Sequence, residues 1–303
     1  MRTKLINSWF KCIFDKRRHN GAFLFVHAYS QLQNPKKNAA STVVSSQMKN
    51  QAAQSQINAV NSTSPISGGN KETARRLTED EVLRRLFSPA SNLPEGRKGP
   101  AIVLTAPGTE RSVTHSQIEN LISYALDQLK KHGVKEGDKV VFYCPNSPEL
   151  SSTILACWGL NAMVTLVDYR AKREDVLEIS KKLGAKVLIT SKKMYSDYAK
   201  NTKFFTEDGL DVLDVAAFND FKDTAKKSQI NLQTLKLDGP AFTILTSGTT
   251  GTPKTSVHTL RSLVLNIIDL AEAADLQPEM TALTPLPISH IFGLSVFLVT
   301  QVL

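Results

Sequence analysis

Acidic residues are nearly missing from the first 70 positions, which hold one, Asp15, against nine lysines and arginines. Of the net charge of +9, that segment carries +8 and the rest of the chain +1. This distribution argues against a nucleic-acid surface on the folded part, which would need clustered bases beside stacking aromatics. Cysteine is scarce as well. Cys12, Cys144 and Cys157 form neither a metal-ligand spacing nor an even disulfide framework, so a reducing compartment fits best. Cys144 and Cys157 sit in apolar runs and read as small buried hydrophobes, the alternative being reactive thiols. No apolar stretch reaches the length and purity of a membrane span, and no Gly-Lys-Ser/Thr string of a Walker loop occurs.

What is present divides the chain. Residues 1–70 are basic at first, then rich in Gln, Asn, Ser and Ala, and end in "STSPISGG". Such a segment is expected to be disordered. A basic, Ser-containing, acid-poor leader is similar to a mitochondrial transit peptide; a nonspecific tail is the alternative, with a cytoplasmic or peroxisomal location. Residues 71–98 read as a linker with a helical segment, "KETARRLTEDEVLRRLF", leading to Pro89 and Pro94. The folded domain is then expected over 99–303.

From there strands and helices alternate. "AIVLT" reads as a strand and "HSQIENLISYALDQLKKHG" as a helix capped by Thr114, its Ile118, Leu121, Ile122, Ala125 and Leu129 at helical spacing. "KVVFYC", "MVTLVD", "KVLIT" and "AFTILT" read as buried strands. Helices are expected at "SPELSSTILACWGL", with Ser147 as cap and Pro148 in the first turn, at "REDVLEISKKLG" and at "LRSLVLNIIDLAEAA". Apolar strands separated by helices predict an α/β fold, a parallel sheet covered on both faces. Residues 191–238 carry weaker signals. A further strand is expected at "TALTPL", and "PISHIFGLSVFLVTQVL" ends on an apolar segment with no cap or charged tail. The expectation is a chain cut off there, its last helix leaving an apolar face uncovered.

The densest chemistry lies in "TSGTTGTPK", residues 246–254, read as the loop joining the "AFTILT" strand to the following helix. Gly248 and Gly251 permit close backbone approach; Thr246, Ser247, Thr249 and Thr250 supply hydroxyl donors; Lys254 adds a mobile cation. Pro253 removes a backbone donor that a Walker cradle would use. From the residues alone the loop is either a polyphosphate cradle of another kind or a simple connecting turn. His290 is either a packed side chain or a site residue; Phe292 and Gly293 read as pocket wall, Phe292 alternatively as core, and His258 as a packing or surface residue.

"TSGTTGTPK" resembles the phosphate-binding signature of the AMP-forming adenylating enzymes, the family of acyl-CoA synthetases, coumarate-CoA-type ligases and luciferases. "GVKEGDKVVFYCPNSPEL", "GAKVLIT" and "LPISHIFGL" extend the resemblance over roughly 99–303. It implies the αβα layers of the N-terminal domain of the adenylate-forming fold, incomplete at the C-terminus. It implies ATP, Mg²⁺ and coenzyme A, with a small carboxylic acid as substrate, no protein metal ligand and no nucleic acid. By the same resemblance Thr246, Ser247, Gly248, Thr249, Thr250, Gly251 and Lys254 hold the ATP phosphates, and His290 lies beside the acyl and adenylate pocket. Thr255, Leu260 and Asn161 depart from the family's usual glycine, histidine and glycine. The family's later aromatic-Gly-x-Thr-Glu string, its ribose-binding aspartate and its adenylating lysine would come after position 303. The implied function is a partial acid–CoA ligase, with the 303-residue chain inactive alone; the alternative is a non-catalytic product that binds nucleotide weakly or serves as an interaction module.

Overall fold

Short apolar runs alternate with helices from residue 139 onward, and the computed structural model assembles them into one sheet. It describes residues 76–93, 101–106, 109–192, 198–220, 228–246, 254–276, 284 and 286–302. The basic segment 1–70 and most of "TALTPL" lie outside the described residues.

The sheet consists of β3 (Lys139–Phe142), β4 (Met163–Leu166), β5 (Val187–Thr190), β6 (Asp211–Asp214), β7 (Pro240–Thr246) and β8 (Lys254–Thr259), in the order β6-β5-β3-β4-β7-β8. All neighbours run parallel except β7 and β8. Helices α1 (Glu79–Phe87), α2 (His115–Lys131), α3 (Pro148–Gly159), α4 (Arg173–Leu183), α5 (Tyr198–Thr206), α6 (Leu260–Ala273) and α7 (Ile291–Val302) accompany it. Among the described residues, no helix is long and apolar enough to cross a membrane.

Strand side chains alternate between two cores, as the two-residue period requires. Val140, Phe142, Val164, Leu166, Val187, Ile189 and Phe242 belong to one core with α1, α2, α3, α6 and α7. Val141, Tyr143, Val167 and Leu188 belong to the other, with Val176 and Leu177 of α4 and Phe205 of α5. The expected α/β arrangement, with helices on both faces, is therefore the observed one.

Local signals explain the helix boundaries. Thr114 caps α2 by a reciprocal box with Gln117, the threonine hydroxyl accepting from the Gln117 backbone N–H at 3.2 Å and the Gln117 side-chain Oε1 accepting from the Thr114 N–H at 2.8 Å. Ser147 caps α3 by accepting from the Leu150 N–H at 3.1 Å, with Pro148 at its first position. Every residue of α3 from Pro148 to Trp158 is buried, and the Trp158 indole N–H donates to the Ala241 carbonyl at 3.0 Å, fastening α3 to β7.

Several expectations are corrected. The "AIVLT" strand, β1 (Ile102–Ala106), pairs antiparallel with β2 (Thr109–Val113) as a separate two-stranded sheet. β2 is polar, "TERSV", so it has no apolar run; the Pro107-Gly108 turn dipeptide before it is the sequence signal that marks a hairpin. The loop after "AFTILT" does not lead directly to a helix: it joins β7 to the antiparallel edge strand β8, which precedes α6. The weakly marked stretch after 191 contains α5 and β6, an edge strand with one buried residue, Leu213.

The segment read as a linker contributes a packed helix. α1 buries Val82, Leu83, Leu86 and Phe87 and packs against α6 and α7. Consequently α7 does not leave its apolar face uncovered: Gly293–Val299 and Val302 are buried, with Arg85 of α1 donating to the Val302 carbonyl at 3.1 Å. A helix apolar all round is a buried helix, and α1 and α6 supply the cover.

Asn161 has φ 55°, the left-handed region in which asparagine is tolerated. Its side chain adds what a glycine would lack, donating to the Thr234 carbonyl at 3.0 Å and accepting from the Lys236 N–H at 2.8 Å. This departure from the family's glycine is thus locally compensated. Cys144 and Cys157 are buried free thiols, and burial pushes both far above the ordinary thiol range, the inert behaviour expected of them.

Candidate functional site

In a parallel sheet the carboxyl ends of the strands share one edge, and ligands bind where successive connections leave toward opposite faces. Here β3 passes through α3 to β4 on one side, while β4 passes through α4 to β5 on the other side of β3. α3 belongs to one core and α4 to the other, so the exits of β3 and β4 form that switch point. β7 lies next to β4, and its carboxyl end opens into the Gly-rich loop.

The loop is bracketed by a strand pair. Thr246, at the end of β7, stands opposite Lys254, at the start of β8. Of the candidate phosphate-loop residues, Thr246 and Lys254 are thereby brought together through their backbones; Ser247, Gly248, Thr249, Thr250 and Gly251 lie outside the described residues. His258, four residues into β8, stacks on Phe242 with ring centroids 5.0 Å apart and has Ser256 Oγ 3.0 Å from its Nε2, a packing role as expected.

His290 is exposed at the turn that starts α7. Its N–H donates to the Pro287 carbonyl at 3.0 Å and its carbonyl accepts from the Leu294 N–H at 2.9 Å. Gly293 is required there by close approach: a Cβ would stand 2.2 Å from the Pro287 oxygen. This position is a close backbone contact, and Phe292, 41% exposed, is not core.

The β3 and β4 exits supply two residues that sequence reasoning missed. Asn146, just after β3, donates from Nδ2 to the Leu286 carbonyl at 2.8 Å and accepts at Oδ1 from the Ile288 N–H at 2.9 Å. Asp168, just after β4, receives the Arg170 guanidinium, Nε at 2.9 Å and Nη2 at 2.6 Å, and the Arg170 N–H at 2.9 Å. Those hydrogen bonds, with lesser attraction from Arg170 and His290, hold the Asp168 carboxyl below its usual range against partial burial. Tyr143 of the β3 exit donates to the Ala171 carbonyl at 2.7 Å, tying the two exits together. Both residues could have been found by asking which polar side chains follow the apolar strands directly.

Arg111 of β2 contacts Glu149 in the first turn of α3 at 2.5 Å, Glu149 being buried and Arg111 partly exposed. That pair anchors the hairpin to the helix that starts beside the switch point. Among the described residues, no group of three His, Cys, Asp or Glu is placed to hold a metal ion.

Comparison with known proteins gives a consistent answer. The chain is 30% identical over 146 residues to p-hydroxybenzoic acid–AMP ligase FadD22 of Mycobacterium marinum, covering 48% of this chain and 19% of that protein. It is 28% identical over 195 residues to acetyl-coenzyme A synthetase of Streptomyces avermitilis, covering 57% and 30%. It is 23% identical over 202 residues to 4-coumarate–CoA ligase of Vanilla planifolia, covering 62% and 36%. The chain thus spans roughly a fifth to a third of the length of these relatives.

Its fold resembles the inhibitor-bound N-terminal domain of FACL13 from Mycobacterium tuberculosis, with TM-score 0.56 at 21% identity, covering 73% of this chain and 55% of that one. It likewise resembles o-succinylbenzoate CoA synthetase from Bacillus subtilis in complex with its acyl-adenylate intermediate, with TM-score 0.55 at 22% identity, covering 74% and 53%. With a mostly parallel sheet, a hydroxyl-rich loop at the carboxyl end of β7, and a model of the AMP-binding enzymes matching residues 95–303, the chain belongs to the AMP-binding enzyme family.

Proposed function

We propose that this chain carries the phosphate-binding and histidine segments of an AMP-forming acid–CoA ligase. The observation that carries the reading is the loop "TSGTTGTPK" leaving the carboxyl end of β7 beside the β3/β4 switch point. Polyphosphate needs donors and positive charge, and the loop offers hydroxyls from Thr246, Ser247, Thr249 and Thr250, close approach at Gly248 and Gly251, and the Lys254 cation. Mg²⁺ enters with the nucleotide, bound mainly by its phosphate oxygens.

In the reaction so assigned, a carboxylate oxygen attacks the α-phosphorus of ATP, the bond to the β-phosphate oxygen breaks, and pyrophosphate leaves with that electron pair. The thiolate of coenzyme A then attacks the acyl carbon and AMP departs. Donors fixed along the loop offset the charge that grows on the leaving pyrophosphate. His290 orients the acyl carboxylate or contacts the α-phosphate. The acid itself is a small carboxylic acid.

Titration calorimetry with Mg·ATP on the 303-residue protein tests the loop. Lys254→Ala is expected to weaken binding about 10- to 100-fold, the worth of a charge-assisted hydrogen bond. An unchanged affinity removes the phosphate-loop assignment. The same protein assayed alone is expected to give no carboxylate-dependent exchange of pyrophosphate into ATP, because the aromatic-Gly-x-Thr-Glu string that the family resemblance calls for is not among its residues. Robust exchange would overturn that part of the reading.

A further inference from the structure

The turn that carries His290 is remote in sequence from the strands that form the switch point, yet one side chain joins them. Asn146 spends both ends of its carboxamide on this turn, the Nδ2 donating to the Leu286 carbonyl and the Oδ1 accepting from the Ile288 N–H, 2.8 and 2.9 Å away. The two backbone groups are two residues apart, so the planar amide grips the segment at two points and fixes its direction as well as its position. Asn146 itself lies between the end of β3 and Ser147, the cap of α3.

Downstream of this grip the chain has little freedom. The Pro287 carbonyl takes the His290 N–H, Gly293 rests against the same carbonyl, and the His290 carbonyl takes the first helical bond of α7 from Leu294. Any shift of Leu286 and Ile288 is therefore passed to His290, two residues on.

We propose that Asn146 is a positioning residue for His290, setting the histidine against the β3 and β4 exits rather than merely closing a loop. The role of the positioned histidine rests on the ligase reading above. The grip itself does not.

The test uses the full chain in variants Asn146→Ala and Asn146→Asp, with His290→Gln to assign the imidazole resonances. Asn161→Ala serves as a control, since it also cuts two side-chain bonds to a distant segment, but at the other end of α3. In Asn146→Ala the His290 ring signals are expected to move while those of His132 stay, and the Ile288 amide to exchange about tenfold faster, the equivalent of one neutral hydrogen bond. Asn146→Asp, which keeps the acceptor, should retain most of the Ile288 protection; this variant also serves if the alanine protein does not fold. Unmoved His290 signals in a folded Asn146→Ala protein, or an equal movement in Asn161→Ala, would overturn the proposal. A wild-type protein that shows the grip but binds no Mg·ATP would remove the ligase reading and leave the positioning role standing.

Discussion

At the scale of single residues, the site edge depends on side chains with fixed polar partners. Asp168 follows β4 and is held by Arg170, with Nε and Nη2 on its two oxygens. Its folded-state carboxyl titrates below the unfolded value, so the stabilisation it brings is fully present above about pH 4 and is lost as pH falls through the folded value. Asp168→Asn is accordingly expected to lower stability at pH 7 by about 0.2–1 kcal/mol, the range for a solvent-screened pair. The difference should shrink as pH falls through the folded value. Urea unfolding midpoints across that range check it, and a difference that persisted in acid would mean that packing rather than charge is responsible. Asn161 and Gly293 illustrate two other residue-scale demands, a left-handed backbone and a close approach to a carbonyl.

At the scale of elements, α1 is the part whose meaning changed most. A capping box at Thr78 and Glu81 starts it, and its apolar face closes over α6 and α7. Charged contacts reinforce the seam: Arg261 at the start of α6 pairs with Glu79 of α1 and, at 2.7 Å, with Asp238. Such exposed pairs add little beside burial. Leu86 is buried to 1% exposure, and Leu86→Ala is expected to cost about 2–5 kcal/mol, measured as a fall in the urea midpoint at constant slope. A loss under about 0.5 kcal/mol, typical of surface positions, would return α1 to the status of a linker.

At the scale of the whole molecule, charge is distributed unevenly along the chain. The +8 of residues 1–70 belongs to a segment with a composition unlike that of the α/β part. We propose that it directs import, since a basic, acid-poor segment is drawn along an inward-negative membrane potential. Residues 1–70 fused ahead of a fluorescent protein should carry it into mitochondria. A diffuse cytoplasmic or a peroxisomal signal would refute this.

Most of the inner sheet and its helices was legible from local pattern alone. β3, α3, β4, α4, β5, β7 and α6 each carry an apolar run or a helical period, and Thr114 and Ser147 announce their caps within a few residues. Periodicity suffices there because the signal and its cause lie within one turn or one strand. β2, β6 and β8 were missed because these short hairpin and edge strands carry no long apolar run. The Gly-rich loop was legible as a string, yet its place between two antiparallel strands was not. Asn146 and the turn before His290 are separated by some 140 residues, and no local rule links an amide to a backbone that far off. Composition and spacing therefore settle most of the inner strands and helices and which residue types their loops offer. Which exits meet, which helix covers α7 and what holds His290 are decided by long-range packing and hydrogen bonding, which come into being only when the chain closes on itself.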